Sequence, residues 1–149
     1  MRAVVQRVSC AAVEAEGRRV SAIGAGLVVL LGVGAEDGPE EADALAERTA
    51  RLRIFDDDGG KLNRSALDVD GEVLVVSQFT LYGEVWRGLR PSFIRAAARE
   101  RGEELYARYI ATLRAQGLRV VTGEYGARMG VSLINDGPVT ILMDSERAF

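Results

Sequence analysis

Two short polar segments interrupt apolar stretches of this chain. Ser77-Gln78-Phe79-Thr80 places two hydroxyls and a carboxamide after residues 72–76, a run too apolar to face water along its length. Hydroxyls and an amide at a strand end can bind or transform a ligand; taken on the residues alone, the favoured reading is that Ser77 and Thr80 satisfy backbone groups where the strand stops. The second segment, Asn135-Asp136-Gly137-Pro138, separates two apolar stretches, with the proline opening a strand where no ladder donor is required. About 5–6% of X-Pro bonds in folded proteins are cis, so sequence physics alone favours a trans bond ahead of Pro138.

The chain contains no histidine, which limits the chemistry available. Histidine is the usual general base near neutral pH and the commonest metal ligand. Its absence excludes Ser-His-Asp triads, Cys-His dyads, His-ligated zinc and histidine phosphotransfer. Proton transfers are left to carboxylates, backbone groups, water or the substrate. Cys10 is the single cysteine, which rules out an intrachain disulfide or a paired-cysteine motif, and it reads as a small buried hydrophobe. Gly24-x-Gly26 precedes its strand and lacks the third glycine of a dinucleotide fingerprint. Asp56-Asp57-Asp58-Gly59-Gly60 carries glycine at the third ligand position of a calcium loop and no glutamate at the twelfth, so it reads as a solvated turn.

A formal charge of −3 argues against indiscriminate binding to nucleic acid, so any RNA contact must be local. Arg87, Arg90, Arg95, Arg99 and Arg101 gather guanidinium groups around Pro91 and Phe93. Arginine forks suit phosphate oxygens. With Glu100, Glu103 and Glu104 close by, a solvated charged face is the equal alternative.

The elements that must position these residues read as one domain. At 149 residues, 48% hydrophobic and 28% charged, the chain can bury a sizeable core. Residues 3–8, 11–16, 19–23 and 27–33 read as four successive strands. The run from Leu27 to Leu31 is apolar at every position, as expected of a central strand buried on both faces. It falls far short of the ~20 residues of a membrane span. The N-terminus lacks the apolar stretch and cleavage site of an export signal, so a cytoplasmic location is expected.

Pro39 followed by Glu40 and Glu41 starts a helix over about 39–53, with apolar residues at helical spacing. A second helix over about 101–116 puts Leu105, Tyr106, Tyr109, Ile110 and Leu113 on one face and stops at Gly117. Residues 72–76, 118–122, 131–134 and 139–143 complete the strands. The order of strands, helix, strand, helix and strands indicates an α/β domain with a mixed sheet.

Ser77-Gln78-Phe79-Thr80-Leu81 and Asn135-Asp136-Gly137-Pro138-Val139-Thr140 together resemble the two signature motifs of the D-aminoacyl-tRNA deacylases. Gln6-Arg7-Val8, Arg53-Ile54-Phe55, residues 87–93 and Val131-Ser132-Leu133 extend the resemblance over essentially the whole chain, with residues 96–101 its variable stretch. The resemblance implies a single domain, residues 1–149, whose mixed, strongly curved sheet packs against two main helices, and a homodimer. It implies a cis Gly137-Pro138 bond that reaches the partner's active site, where the two carbonyls wall off L-amino acids. D-amino acids and glycine pass.

By the same resemblance Arg7 holds that loop and Met129 lines the pocket. Ser77, Gln78, Phe79 and Thr80 form the catalytic segment that receives the 3′ end of an aminoacyl-tRNA, with backbone N–H groups near Phe79 and Thr80 as an oxyanion site. Neither motif supplies an obvious general base, so assistance by the ribose 2′-hydroxyl fits composition and family alike. No metal or cofactor is required. Two rivals stay open: Thr80 as a covalent nucleophile, and a non-catalytic RNA-binding module built on the arginine cluster.

Overall fold

The computed structural model describes residues 1–148. Strand β1 (Arg2–Ala15) is the spine of the molecule. Strand β8 (Met129–Asp144) runs antiparallel beside it, from Arg2 opposite Asp144 to Ala15 opposite Met129. A strand has two edges, so the partners of β1 on its other side must share one. β3 (Gly26–Gly32) takes residues 2–8 and β2 (Arg18–Ile23) takes residues 11–15. β6 (Glu72–Ser77) then adds parallel to β3, and β7 (Arg119–Thr122) parallel to β6. β3 is therefore interior to the sheet, and all its residues but Leu30 are buried, which explains the unbroken apolar run.

The fork in the sheet lets β2 fold back toward β7. Ser21 Oγ donates to the Thr122 carbonyl at 2.8 Å, and Arg18 meets Glu124 at 2.7 Å. The sheet thus curls almost to closure, with Val8, Val13, Ile23, Val28, Leu74 and Val76 packed inside the curl. On its other face lie α1 (Pro39–Ala50) and α2 (Arg99–Ala115), over a larger core that includes Leu31, Val73, Val75, Leu45, Leu105 and Leu113. The period-2 alternation of β6 divides its side chains between the two cores: Val73 and Val75 face the helices, Leu74 and Val76 the curl.

Helix α1 begins as its sequence dictates. Pro39 occupies the first turn, and the Glu41 carboxylate accepts the Gly38 N–H at 2.8 Å. It stops at Ala50, short of residue 53, because the chain turns there to bring Ile54 into the core. α2 starts at Arg99, two residues ahead of the expected start, and buries Leu105, Tyr106, Tyr109, Ile110 and Leu113 as its periodicity predicts. Across the helix pair Arg108 grips Asp43 with two bonds of 3.0 and 2.6 Å, holding that carboxyl below its usual range, with Thr112 adding a third bond. The pair is solvent-exposed and adds little to stability.

Three expectations are corrected. Residues 3–8 and 11–16 form one strand, β1, and residues 131–134 and 139–143 form one strand, β8. Pairing between β1 and β8 carries each strand through its polar interruption, which survives as register shifts around Val8 instead of as a turn. Cys10, expected to be buried, lies beside that irregularity and is exposed. The Asp56–Gly60 turn belongs to a small hairpin of β4 (Phe55–Asp56) and β5 (Leu62–Arg64) that sequence reading did not find. In it the Asp57 carboxyl is held below its usual range, first by the Lys61 N–H and further by Asn63 and Gly59. No helix among the described residues is long and apolar enough to cross a membrane.

Between the helices, buried Tyr109 donates its hydroxyl to Thr49 Oγ1 at 2.7 Å, and Thr49 donates to the Leu45 carbonyl at 2.8 Å. Replacing Thr49 with valine leaves the tyrosine hydroxyl buried without an acceptor, which costs about 1–3 kcal/mol. Adding Tyr109→Phe removes the orphan. Denaturant unfolding is expected to show Thr49→Val clearly destabilised and the double variant recovering most of the loss.

Candidate active site

β6 and β7 run parallel, so their carboxyl ends open at the same place, the usual position of a ligand crevice in an α/β sheet. A cavity of about 460 Å³ lies there. Ser77, Gln78 and Phe79 form the wall that follows β6; Tyr125, Gly126 and Ala127 form the wall that follows β7. Met129 and Val131 enter from the start of β8, and Arg99 from the start of α2.

The β6 wall is shaped by where the ladder ends. The Gln78 N–H still donates to the Leu31 carbonyl at 2.8 Å, after which residues Phe79–Tyr82 tighten into a 3₁₀ turn. The first N–H groups of such a turn, those of Phe79 and Thr80, have no partner within it. Gln78 Nε2 donates to the Thr80 hydroxyl, and Thr80 stands beside the cavity without lining it. Phe79 is 56% exposed and meets Phe93 edge-on, with ring centroids 5.0 Å apart.

Opposite, the Tyr125 ring leans on Tyr106 at 5.4 Å, and its hydroxyl donates to the Arg99 carbonyl at 3.2 Å. Burial pushes the Tyr125 phenol up, and Glu103 adds to the shift while Ser77 and Arg99 act against it. The group therefore stays a neutral donor through the ordinary pH range. The Glu124 N–H points at Met129 Sδ, 3.3 Å away, which fixes the methionine at the foot of the cavity.

Arg7, Gly137 and Pro138 form a second assembly, apart from the cavity. Arg7 is 6% exposed; its Nε donates to the Asp136 carbonyl and its Nη1 to the Ile54 carbonyl, each at 2.9 Å. The Asp136 carboxylate, a base the motif does contain, sits 3.3 Å from the same guanidinium and is tied up in that pair. Asn135 brackets the loop, accepting the Val139 N–H at 2.7 Å and donating to the Val139 carbonyl at 3.0 Å. The Gly137–Pro138 bond is cis, and both residues are exposed. From Met129 to Pro138 is about 30 Å of strand, at roughly 3.3 Å per residue.

Of the expected site residues, the fold therefore joins Ser77, Gln78, Phe79 and Met129, keeps Thr80 at their edge, and sets Arg7, Gly137 and Pro138 elsewhere. The arginine cluster divides as well. Arg95 pairs with Glu146 at 2.7 Å and Arg101 with Glu104 at 2.8 Å, Arg99 lines the cavity, and Arg87 and Arg90 project into solvent. Sequence reading missed Tyr125, Gly126 and Ala127. Their signal was a position just past a strand, and its meaning depended on that strand lying parallel to β6.

The profile of the D-Tyr-tRNA(Tyr) deacylase family matches residues 4–144. This chain belongs to that family. A relative from Koribacter versatilis, named D-aminoacyl-tRNA deacylase, is 58% identical over 149 residues, which are all of both chains. A solved structure named c-Myc DNA unwinding element binding protein is 41% identical and superimposes with a TM-score of 0.90, covering 97% of this chain and 98% of that one. A probable eukaryotic D-amino acid tRNA deacylase shares the fold at 18% identity, with a TM-score of 0.84 over 95% of this chain and 97% of that one. The deacylase fold thus includes the curled mixed sheet and two helices expected from the sequence.

The Tyr125 wall of this deacylase-family cavity depends on Gly102. A Cβ at position 102 would lie 2.5 Å from the Tyr125 hydroxyl, the far end of a side chain that can swing away. Gly102→Ala also gains about 1 kcal/mol of helix propensity. The variant is expected to keep its unfolding midpoint while its crystal structure shows Tyr125 displaced from Ser77 and the cavity widened.

Proposed function

We propose that this chain hydrolyses the ester bond of D-aminoacyl-tRNA, releasing tRNA and the free D-amino acid in the cytoplasm as a proofreading step of translation. The observation that carries the reading is the cavity at the end of β6, walled by Ser77, Gln78 and Phe79, whose volume of about 460 Å³ is in the range of small-molecule sites. The terminal adenosine and the ester carbonyl lie against this segment, with the Phe79 and Thr80 N–H groups directed at the oxygen that becomes negative in the tetrahedral intermediate. Water adds to the carbonyl carbon. The ribose 2′-hydroxyl takes the water's proton and returns one to the departing 3′-oxygen as the ester C–O bond breaks. An activated ester in a positioned site needs little more, and neither metal nor cofactor takes part.

Selection by hand requires a wall on one side of the α-carbon. Within one chain Gly137 and Pro138 are remote from the cavity, so the wall comes from a second copy. Among the described residues β8 pairs only with β1, and its exposed side chains include Val131, Ile134 and Leu142. A long free strand edge with apolar side chains favours association. A two-fold contact along β8 sets the Gly137-Pro138 loop of one subunit against Met129 of its partner. There the two carbonyls collide with an L side chain, while a D side chain projects to solvent and glycine passes. In parallel deacylation assays with purified dimer, D-aminoacyl- and glycyl-tRNA are expected to be cleaved and L-aminoacyl-tRNA left intact. Equal rates on the D and L forms, or full activity in a sedimenting monomer, would overturn the filter.

The alternative, a Thr80 nucleophile, lacks a base, since the neighbour of its hydroxyl is the Gln78 amide. Thr80→Ala is expected to lower turnover roughly tenfold, as for a positioning group; a loss of ~10³-fold or more would mark a nucleophile. Persistence of D-aminoacyl-tRNA bound to micromolar protein would establish a non-catalytic RNA-binding module.

A further inference from the structure

Beside the cavity, residues 84–92 form a closed hairpin arm. Glu84 and Ser92 exchange backbone bonds of 2.8 and 2.9 Å, the Gly88 N–H turns back to the Val85 carbonyl, and Gly88 adopts φ +151°. Arg95 steadies the base of the arm through Glu84 at 3.8 Å and Glu146 at 2.7 Å. The tip presents Trp86 at 91% and Leu89 at 101% exposure. Scattered exposed apolar residues are ordinary, but here the largest side chain of the set stands in solvent on a braced loop that also carries two arginines. Arg87 and Arg90 follow it on the same arm, exposed and with no hydrogen bond or ion pair among the described residues. The other arginines of the cluster are paired or line the cavity.

We infer that this arm binds the unpaired 3′ end of the tRNA, with Trp86 stacking on a base upstream of the terminal adenosine and Arg87 and Arg90 holding its phosphates. An exposed indole beside free guanidinium groups is the combination that binds single-stranded nucleic acid without reading its sequence. The position is continuous with the cavity, because Phe93, just past the arm, packs edge-on against Phe79 of the cavity wall. A strand whose last nucleoside enters that cavity passes the arm on its way in. Bracing of the hairpin lowers the ordering cost of binding. The inference rests on the proposed substrate, and it adds a grip on the RNA upstream of the nucleoside that enters the cavity.

The test measures binding of uncharged tRNA, which does not depend on hydrolysis. Trp86→Ala is expected to weaken binding roughly tenfold or more, the loss typical of one stacked base. Arg87→Ala combined with Arg90→Ala is expected to lower the slope of log affinity against log salt by about 1.4, two single-strand phosphate contacts at roughly 0.7 each. Arg119→Ala, which removes one guanidinium at the start of β7, leaves that slope unchanged. On tRNA trimmed of its unpaired 3′ nucleotides, wild type and Trp86→Ala bind alike.

Unchanged affinity and slope in the arm variants would overturn the inference. So would dissociation of the dimer by Trp86→Ala in sedimentation, which would make the arm a contact between copies of the chain. The two readings fail separately. If wild-type protein leaves D-aminoacyl-tRNA intact while the arm variants lose tRNA, the reaction is wrong and the arm stands. If hydrolysis proceeds and the variants bind as wild type, the arm alone is wrong.

Discussion

The antiparallel pairing of β1 with β8 is the constraint on which the rest of the molecule depends. It holds both strands through their polar interruptions and occupies one edge of β1 from end to end. Two strands are left to share the other edge. The sheet must then fork and curl, and the curl sets the carboxyl ends of β6 and β7 beside the start of β8. Neither signature segment creates the cavity by itself.

A chain without histidine has few ways to run an acid–base reaction. What this fold offers instead is position. The end of the β6 ladder at Gln78 frees two N–H groups, the Tyr125 ring rests on Tyr106 with its hydroxyl on the Arg99 carbonyl, and Asp136 is paired with Arg7. Each of these groups is held by the backbone or by a neighbouring side chain. The arrangement suits an ester that is already reactive and needs its geometry fixed more than its protons moved.

Legibility in the sequence followed the range of the interactions. The faces of both helices and the burial of β3 were readable because they depend on local periodicity, and Ser77 to Phe79 could be placed at a strand end for the same reason. Continuity of β1 and β8 was not readable. Val8 to Cys10 and Asn135 to Pro138 look like turns locally, and only a partner strand about 130 residues away in the chain, at the usual ladder spacing, keeps them extended. Cys10 was misjudged for that reason. Tyr125 escaped because its role is fixed by the parallel neighbour of its strand, and the isomer at Pro138 was legible only through resemblance to a family.

The division of β6 between two cores has a consequence for how such a chain can change over time. Val76 and Met129 belong to the inner cluster and also wall the cavity, whereas Leu45, Leu113 and their neighbours pack on the far side of the sheet. Away from Gly102 and Tyr106, which set the Tyr125 wall, the helix-side layer can accumulate substitutions that suit a hotter or colder habitat, at conserved volume, with the sheet between them and the cavity. Sequence drift among relatives should therefore be lopsided, fast beneath the helices and slow within the curl.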